Sequence, residues 1–457
     1  MSESLIILGA GESGIGAAIL GKKEGFDVLV SEYGSIHEET KSFFEKEGIA
    51  FEESGHSHLV MEGDLVVKSP GIPDNAPVIL RLLAKGVPVI SEIEFAFRYL
   101  KEDQKVVAIT GTNGKTTTTL LIHHLLKTAG FDVGLGGNIG ISLAKLVAQT
   151  NHEYLVVEVS SFQLDGVVTF KPNIAVLLNI TPDHLDRYDH DFKKYVKSKF
   201  KITENLTKDE CLIYCSDCKP ITDEIARRKV ESCLFAVSAT QGGKSDAYMA
   251  EEHLIFDYKF KNRGKHHKIP LTQISLIGKH NMINSMAAVL ATLNLDVPLD
   301  KILKGLKTFK NVPHRLELVH EVDGVRFIND SKATNVDAVY YALEGLQKPI
   351  IWIAGGIDKG NDYHSITHLV REKVKHLICI GTDNKSLLKA FENVVPITEI
   401  SSMEIAVGLA SEMSEPGELV LLSPACSSFD RFKNYEDRGD QFKKAVEQLQ
   451  KNRGIKL

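Results

Sequence analysis

The amino-acid sequence predicts an α/β protein of three domains: a Rossmann-like N-terminal domain, a central parallel sheet of the P-loop ATPase type, and a Rossmann-like C-terminal domain. Three observations carry that prediction. Apolar runs rich in Val, Ile and Leu alternate with longer helical stretches, as the strands of parallel sheets alternate with their crossover helices. Two of these runs are followed directly by a glycine-rich turn and a helix. A chain of 457 residues is also too long for one core and suits about three domains at ~150 residues each.

Taken in order, "LIILG" opens the chain as a strand, "AGESGIGAAILGKKEG" follows as a helix, and "DVLVSE" is a second strand. "GDLVVKSPGIP" is a strand ending in a turn, and "GVPVISEIEFAFRYL" a strand running into a helix. The charged stretch "RYLKEDQK" marks a linker, which bounds the first domain at residues 1–98. "KVVAITG" begins a new unit as a buried strand, and "KTTTTLLIHHLLKTAG" is a helix closed by Gly130. "YLVVEVSS" and "IAVLLNI" are near-continuous apolar strands, as expected of a parallel sheet covered on both faces. "GKHNMINSMAAVLATLNL" is a helix late in this domain, which spans 99–311. The third domain, 312–457, holds the strands "IIWIAGG", "HLICIG" and "ELVLLSPA" with helices between them.

The bulk composition narrows the function classes. The chain is 43% hydrophobic and 25% charged, as ordinary globular proteins are. A net charge of -6 without a basic block argues against nucleic acid as a partner. There is no uncharged apolar run of the ~18 residues that a membrane span needs. "MSESLIILGA" lacks the cationic leader of a signal peptide, so a cytoplasmic location is expected. The cysteines of "CLIYCSDC" (211–218) fit a C-x3-C-x2-C spacing that can hold an iron–sulfur cluster. A strand with Cys211, Ile213 and Cys215 on its inward face, followed by a polar turn, explains them without metal.

The two glycine turns carry the chemistry. Gly9, Gly11 and Gly14 match G-x-G-x-x-G, with Glu32 after the next strand, which is close to the dinucleotide fingerprint. NAD would fit, with Glu32 on its ribose. So would any nucleotide diphosphate, including that of a UDP-sugar, because the turn only brings a diphosphate to a helix N-terminus.

The second turn, "GTNGKTT", resembles a phosphate loop but lacks the glycine usually found five positions before Gly-Lys; Ile109 stands there. It is either an NTP loop of shortened spacing or a glycine turn that happens to precede a helix. Reaction at a γ-phosphate needs curled backbone amides, a cation and an oxygen-held metal. Gly111 and Gly114 free the backbone, Lys115 supplies the cation, and Thr116 a hydroxyl for Mg2+. Glu158, inside an apolar strand, is costly to bury unpaired. It is either a metal ligand at the strand's C-terminal end, where open α/β sheets bind ligands, or half of a buried salt bridge. His184 follows the next strand at the same edge, and a turn histidine there could equally be exposed.

"TGTNGKTTTT", "VEVSSFQL", "NITPDHLDRY" and "GKHNMINSMAA", in that order, resemble the central domain of the Mur ligases. "FINDSKATN" (327–335) and "LLSPACSSFDRFKNYEDRGDQF" (421–442) resemble the D-glutamate-adding branch of that family. The resemblance covers essentially the whole chain, and the family's ATP loop carries the shorter glycine spacing. It implies an ATP-dependent amide ligase of peptidoglycan synthesis, acting through an acyl phosphate and a tetrahedral intermediate. The substrates would be UDP-N-acetylmuramoyl-L-alanine and D-glutamate, the cofactors ATP and two Mg2+ ions, and the enzyme a monomer. Carboxylate and triphosphate repel each other by ~4 kcal/mol at 4 Å even at an effective dielectric of 20, so cations must gather at such a site. The rivals are a related ligase for L-alanine or a diamino acid, an NAD-dependent oxidoreductase, and a non-catalytic nucleotide switch.

Carried onto this sequence, the resemblance implies that Gly111, Thr112, Asn113, Gly114, Lys115, Thr116 and Thr117 bind ATP. Thr116 and Glu158 would hold the metal, with His184 beside metal and acyl phosphate. Lys199 in "YVKSKFKI" matches a lysine that is carbamylated in the family and coordinates a second Mg2+. Asn281 and Asn284 would form the nucleotide pocket, Asn284 near the adenine. Arg315 and Asp330 would contact ATP, and Lys332 would lean toward the γ-phosphate with Thr334 close by. D-glutamate would meet Lys359, Thr334, Ser428, the backbone of Phe429, and Tyr435, where phenylalanine is usual. Glu12 and Ser13 would cradle the UDP diphosphate. Glu32 and Tyr33 would lie near the uracil, in place of the family's Asp followed by Thr or Ser. Ser69 and Gly71 of "SPGIP" would complete that pocket, and Asn138 of "GGNIG" would reach the muramoyl part. The D-N-P-R box of the relatives that add meso-diaminopimelate is missing from the sequence.

Overall fold

The computed structural model describes residues 2–240, 245–260, 263–276, 278–311, 313–346, 349–358 and 360–454. The chain divides into two compact units, one of Met1–Ser275 with Ile283–Phe309 and one of Leu276–Met282 with Lys310–Leu457. Among the described residues, no helix is long and apolar enough to cross a membrane.

The first unit carries two sheets. Five described strands, β1 (Ser4–Leu8), β2 (Asp27–Ser31), β3 (Ala50–Glu52), β4 (Leu65–Lys68) and β5 (Val89–Ser91), form a parallel sheet in the order β3-β2-β1-β4-β5. The helix Glu12–Lys23 starts directly after the glycine turn. Gly9 has φ 98°, and a Cβ on Gly14 would lie 1.9 Å from the Gly9 carbonyl oxygen. Only glycine lets this helix pack so closely on its strand.

Nine described strands make the second sheet: β6 (Lys105–Thr110), β7 (Val133–Gly137), β8 (Tyr154–Glu158), β9 (Ile174–Leu177), β10 (Cys211–Cys215), β11 (Cys233–Ser238), β12 (Ala247–Ala250), β13 (His253–Phe260) and β14 (Arg263–Pro270). Their order is β14-β13-β12-β11-β10-β9-β6-β8-β7. β8 and β9 are buried at every position, the mark of a parallel sheet covered on both faces. The sheet is not parallel throughout, however, because β12, β13 and β14 run antiparallel at one edge. Alternation explains the difference. Residues 264, 266 and 268 of β14 are exposed while Ile269 is buried, a one-sided pattern with lysine and histidine on the open edge. Cys211 and Cys215 are buried strand residues of β10, and the Cys218 thiol accepts the Ile180 N–H at 3.3 Å.

Two buried glutamates join the sheets of this unit. They lie on the helix Glu92–Phe97, which follows β5 and precedes the expected linker. Glu94 accepts the N–H groups of Val168, Thr169 and Phe170, each at 2.9 Å. Glu92 accepts the Ala144 N–H at 2.5 Å, at the N-terminus of the helix Leu143–Gln149, while its other oxygen is buried without a partner. Burial pushes the Glu92 carboxyl up to about 7 against the pull of that helix end.

The second unit is built on six described strands, β15 (Glu317–Val322), β16 (Val325–Asn329), β17 (Ile350–Ala354), β18 (Val374–Cys379), β19 (Ile397–Glu399) and β20 (Leu419–Leu422). Their order is β15-β16-β20-β17-β18-β19, with only the β15–β16 pair antiparallel among them. Trp352 fills the core, its indole N–H donating to the Ser423 carbonyl at 2.7 Å. The helix Tyr435–Gly454 closes the unit.

Candidate active site

Strand register assembles the first half of the site. β7, β8, β6 and β9 are neighbours, with Glu158 opposite both Ile109 and Gly137, and Thr110 opposite Leu177. The loop after β6, the end of β8, Asn138 after β7 and the 178–184 stretch after β9 therefore share one C-terminal edge. The loop curls at Gly111 (φ 152°) and Gly114 (φ 84°), and the helix Lys115–Ala129 starts at once, its N-terminus facing the edge. Asn179 braces the curl: its carbonyl accepts the Thr112 N–H at 2.9 Å, and its side chain exchanges bonds with the Asn113 backbone at 2.8 and 3.0 Å. The Thr112 hydroxyl sits between the Thr181 carbonyl and the Tyr195 hydroxyl at 3.1 and 3.2 Å. Asn179 and Tyr195 escaped the sequence reading, although "LLNITP" already put an amide side chain right after the strand.

Two lysines converge on one carbonyl here. Lys115 Nζ donates to the Gly111 and Thr112 carbonyls at 2.9 and 2.8 Å, and Lys199 Nζ to the Gly111 carbonyl at 2.8 Å. Lys199 is 1% exposed and packs over the Tyr195 ring at 4.7 Å. Burial, and secondarily the charge of Lys115, holds its pKa well below that of an ordinary lysine. Glu158 is partnered by an amide, not a cation: its Oε1 accepts from Asn138 Nδ2 at 2.8 Å, and its Oε2 is buried without a partner. Thr110 Oγ1, Asn113 Nδ2 and Thr181 Oγ1 are likewise buried and unpartnered, and Thr116 and Thr117 are buried. Polar atoms orphaned together around a glycine loop mark a place for a polar ligand.

That donor set also bears on a metal. Among the described residues, no three His, Cys, Asp or Glu side chains gather as a metal cage. One orphaned carboxylate oxygen and threonine hydroxyls suit Mg2+, which binds few protein oxygens and takes the rest from water and phosphate. His184 adopts φ 52°, half-exposed, with its ring edge-on to Phe162 at 5.2 Å.

The candidate UDP residues lie on the five-stranded sheet of the same unit. Glu32 turns onto the glycine turn, its carboxylate accepting the Ala10 N–H at 2.8 Å and the Gly34 N–H at 3.0 Å. Tyr33 is 77% exposed and lies against the His56 ring at 5.8 Å. Ser69 Oγ is buried beside Gly9 without a partner, and Gly71 is exposed. Glu12 and Ser13 open the first helix, with Glu12 accepting the Ser142 N–H at 3.3 Å. Asn284 stands against Gly114 of the phosphate loop.

In the second unit, Asn281 is buried and its neighbour His280 packs on Tyr341 at 5.5 Å. Burial and the nearby Arg315 lower the His280 pKa to about 4. Arg315 Nε is buried without a partner. Asp330 accepts the Ser423 hydroxyl at 2.9 Å and the Leu316 N–H at 3.2 Å. Burial raises its carboxyl to about 7, with Arg315 pulling the other way. Lys332 lies over the Tyr435 ring at 5.3 Å, and Thr334 donates its N–H to the Lys332 carbonyl at 3.0 Å. Ser428 is buried and Phe429 is 70% exposed; Lys359 lies outside the described residues. Arg438, which sequence reading passed over, is fully buried and donates to Ser331 and to the Gly355 and Cys426 carbonyls. It ties together the three loops that hold the candidate amino-acid contacts. Nothing in "YEDRGDQF" distinguishes it from a surface helix charge.

The sequence matches three family models: the MurD N-terminal domain over residues 4–78, the Mur ligase middle domain over 109–292, and the Mur ligase glutamate ligase domain over 314–426. A UDP-N-acetylmuramoylalanine–D-glutamate ligase of Christiangramia forsetii is 47% identical to it over 98% of this chain and 100% of the relative. One of Cytophaga hutchinsonii is 46% identical, again over 98% and 100%. Among solved structures, a pseudomurein peptide ligase type C from Methanothermus fervidus superposes with a TM-score of 0.61 at 21% identity, over 98% of this chain and 100% of that one. A UDP-N-acetylmuramate-alanine ligase from Thermotoga maritima gives 0.60 at 18% identity, over 98% and 99%. At such identities the structural likeness speaks for the fold alone.

Proposed function

This chain belongs to the Mur ligases, in the UDP-N-acetylmuramoylalanine–D-glutamate ligase family, and we propose that it joins D-glutamate to UDP-N-acetylmuramoyl-L-alanine at the expense of ATP. The observation that carries this is the ring of orphaned polar atoms around the glycine loop, with two lysines on one carbonyl.

A carboxylate resists nucleophiles until one of its oxygens becomes a leaving group. Its oxygen attacks the γ-phosphorus, ADP departs, and an acyl phosphate forms. The D-glutamate nitrogen adds to the acyl carbon, and the tetrahedral adduct loses phosphate and a proton to leave the amide. Loop amides and Lys115 hold the triphosphate, whose negative charge must be offset before another anion can approach. When bound, Mg2+ supplies further positive charge at the phosphate oxygens; Thr116 and Glu158 would hold it, with His184 close by. Lys199, whose burial and neighbouring Lys115 hold its pKa well below that of an ordinary lysine, would be suited to capture CO2 as a carbamate and so to serve a second ion. Asn281, Arg315 and Asp330 would contact ATP, and Lys332 and Thr334 the intermediate. Lys359, Ser428, Phe429 and Tyr435 would receive D-glutamate. One chain supplies every candidate residue, so a monomer suffices, and its nucleotide substrates belong in the cytoplasm.

Phosphate release with each of D-glutamate, L-glutamate, L-alanine and a diamino acid tests this. Release with D-glutamate alone is the expected result; release with another acid and none with D-glutamate would refute it.

A further inference from the structure

Arg187 is a basic residue that neither substrate chemistry nor the family resemblance has claimed. It lies in the short helical turn Leu185–Tyr188, immediately after His184. Its guanidinium lies 4.4 Å over the Phe162 ring, and the same ring takes the edge of His184 at 5.2 Å. Its two terminal nitrogens donate to three successive carbonyls of the turn after β4: Gly71 at 3.2 Å, Pro70 at 3.3 Å and Ile72 at 3.4 Å. Lys68, 5% exposed, grips the same turn from inside, its ammonium donating to the Ile72 carbonyl at 2.9 Å.

Three carbonyls in a row are thus turned toward cations. The Ser69 and Ile72 N–H groups are used within the fold, on the Leu8 carbonyl at 2.9 Å and the Ser69 carbonyl at 3.1 Å. What the turn keeps for another partner is the Ser69 hydroxyl, which is buried, unpartnered and against Gly9 of the glycine turn. Left to itself, a turn of "SPGIP" would be free to point carbonyls at that place and repel an anion. A guanidinium offers several donors in a rigid plane and cannot lose its charge, so it can hold all three carbonyls at once.

We propose that Arg187 is the positioning residue that holds the 69–72 turn so that the Ser69 hydroxyl faces the nucleotide diphosphate, and that sets the turn in register with His184. This rests on the function proposed above. Arg187 acts through the turn and through Phe162, not on the reacting atoms.

The test is steady-state kinetics of Arg187→Ala and Arg187→Lys beside the parent, with UDP binding measured by calorimetry. Losing charged hydrogen bonds to the turn should raise the KM for the UDP-linked substrate by about tenfold or more in Arg187→Ala. The KM values for ATP and D-glutamate should stay within about twofold. Arg187→Lys, a single point charge, should recover only part of the loss. UDP alone should bind Arg187→Ala more weakly by a similar factor, and this arm stands even if the parent shows no ligase turnover. Unchanged UDP binding in a folded Arg187→Ala would overturn the inference, as would equal rises in all three KM values. A parent that binds UDP but turns nothing over would sink the proposed function instead.

Discussion

Lys199 shows how far a single side chain can be moved from its ordinary chemistry. An exposed lysine is protonated at neutral pH and neither binds a cation nor reacts with CO2. Here burial and the charge of Lys115 favour the neutral amine. The proposed carbamate would form on the neutral amine, so turnover should fall as pH drops through the lowered pKa. It should also fall in CO2-depleted buffer and return with bicarbonate; activity indifferent to CO2 would count against the carbamate. Lys199→Ala and Glu158→Gln should each lower kcat by about 10²–10³-fold while the proteins stay folded, as seen by their melting curves. Asp330 and Arg315 make a comparable pair in the second unit, where Arg315→Ala should raise the KM for ATP and leave UDP binding by calorimetry unchanged.

At the level of elements, glycine turns and buried glutamates set the stability. A Cβ at Gly14 has nowhere to go, 1.9 Å from the Gly9 carbonyl oxygen. Gly14→Ala should therefore lower the melting temperature and weaken UDP binding together. Glu92, raised from 4.5 to about 7, binds its proton more tightly in the folded chain than in the unfolded one. That preference is fully present below pH 4.5 and is lost as pH rises through 7. Glu92→Gln keeps an acceptor for the Ala144 N–H without a titrating charge, so it should raise unfolding free energy at pH 8 by about 1–3 kcal/mol. Near pH 4.5 urea titrations should find little difference. The strands and helices that bear these residues were legible because parallel strands are apolar throughout and glycine marks the turns. Glu92 and Glu94 were not, since a glutamate reads as solvated until the chain it caps, 144 or 168–170, is folded beside it. The β13–β14 edge was missed for a related reason: its alternating polar residues look like loop until paired. Lys115, Thr116 and Glu158 stood out by local pattern. Asn179, Arg187 and Arg438 lie in stretches the sequence reading singled out, but the contacts each makes span long sequence separations and cannot be read from those stretches.

For the molecule as a whole, the proposed chemistry demands that positive charge be gathered where a triphosphate and a carboxylate meet. The ligase also needs the acid itself to lose an oxygen, and this is where the mechanism is most exposed to test. The L-alanine carboxylate of the UDP-linked substrate can be labelled with ¹⁸O, and the inorganic phosphate released during amide formation with D-glutamate analysed by mass spectrometry. One ¹⁸O atom should appear in each phosphate, carried there through the acyl phosphate. Phosphate free of label, released alongside amide product, would contradict activation of the carboxylate by ATP at this site.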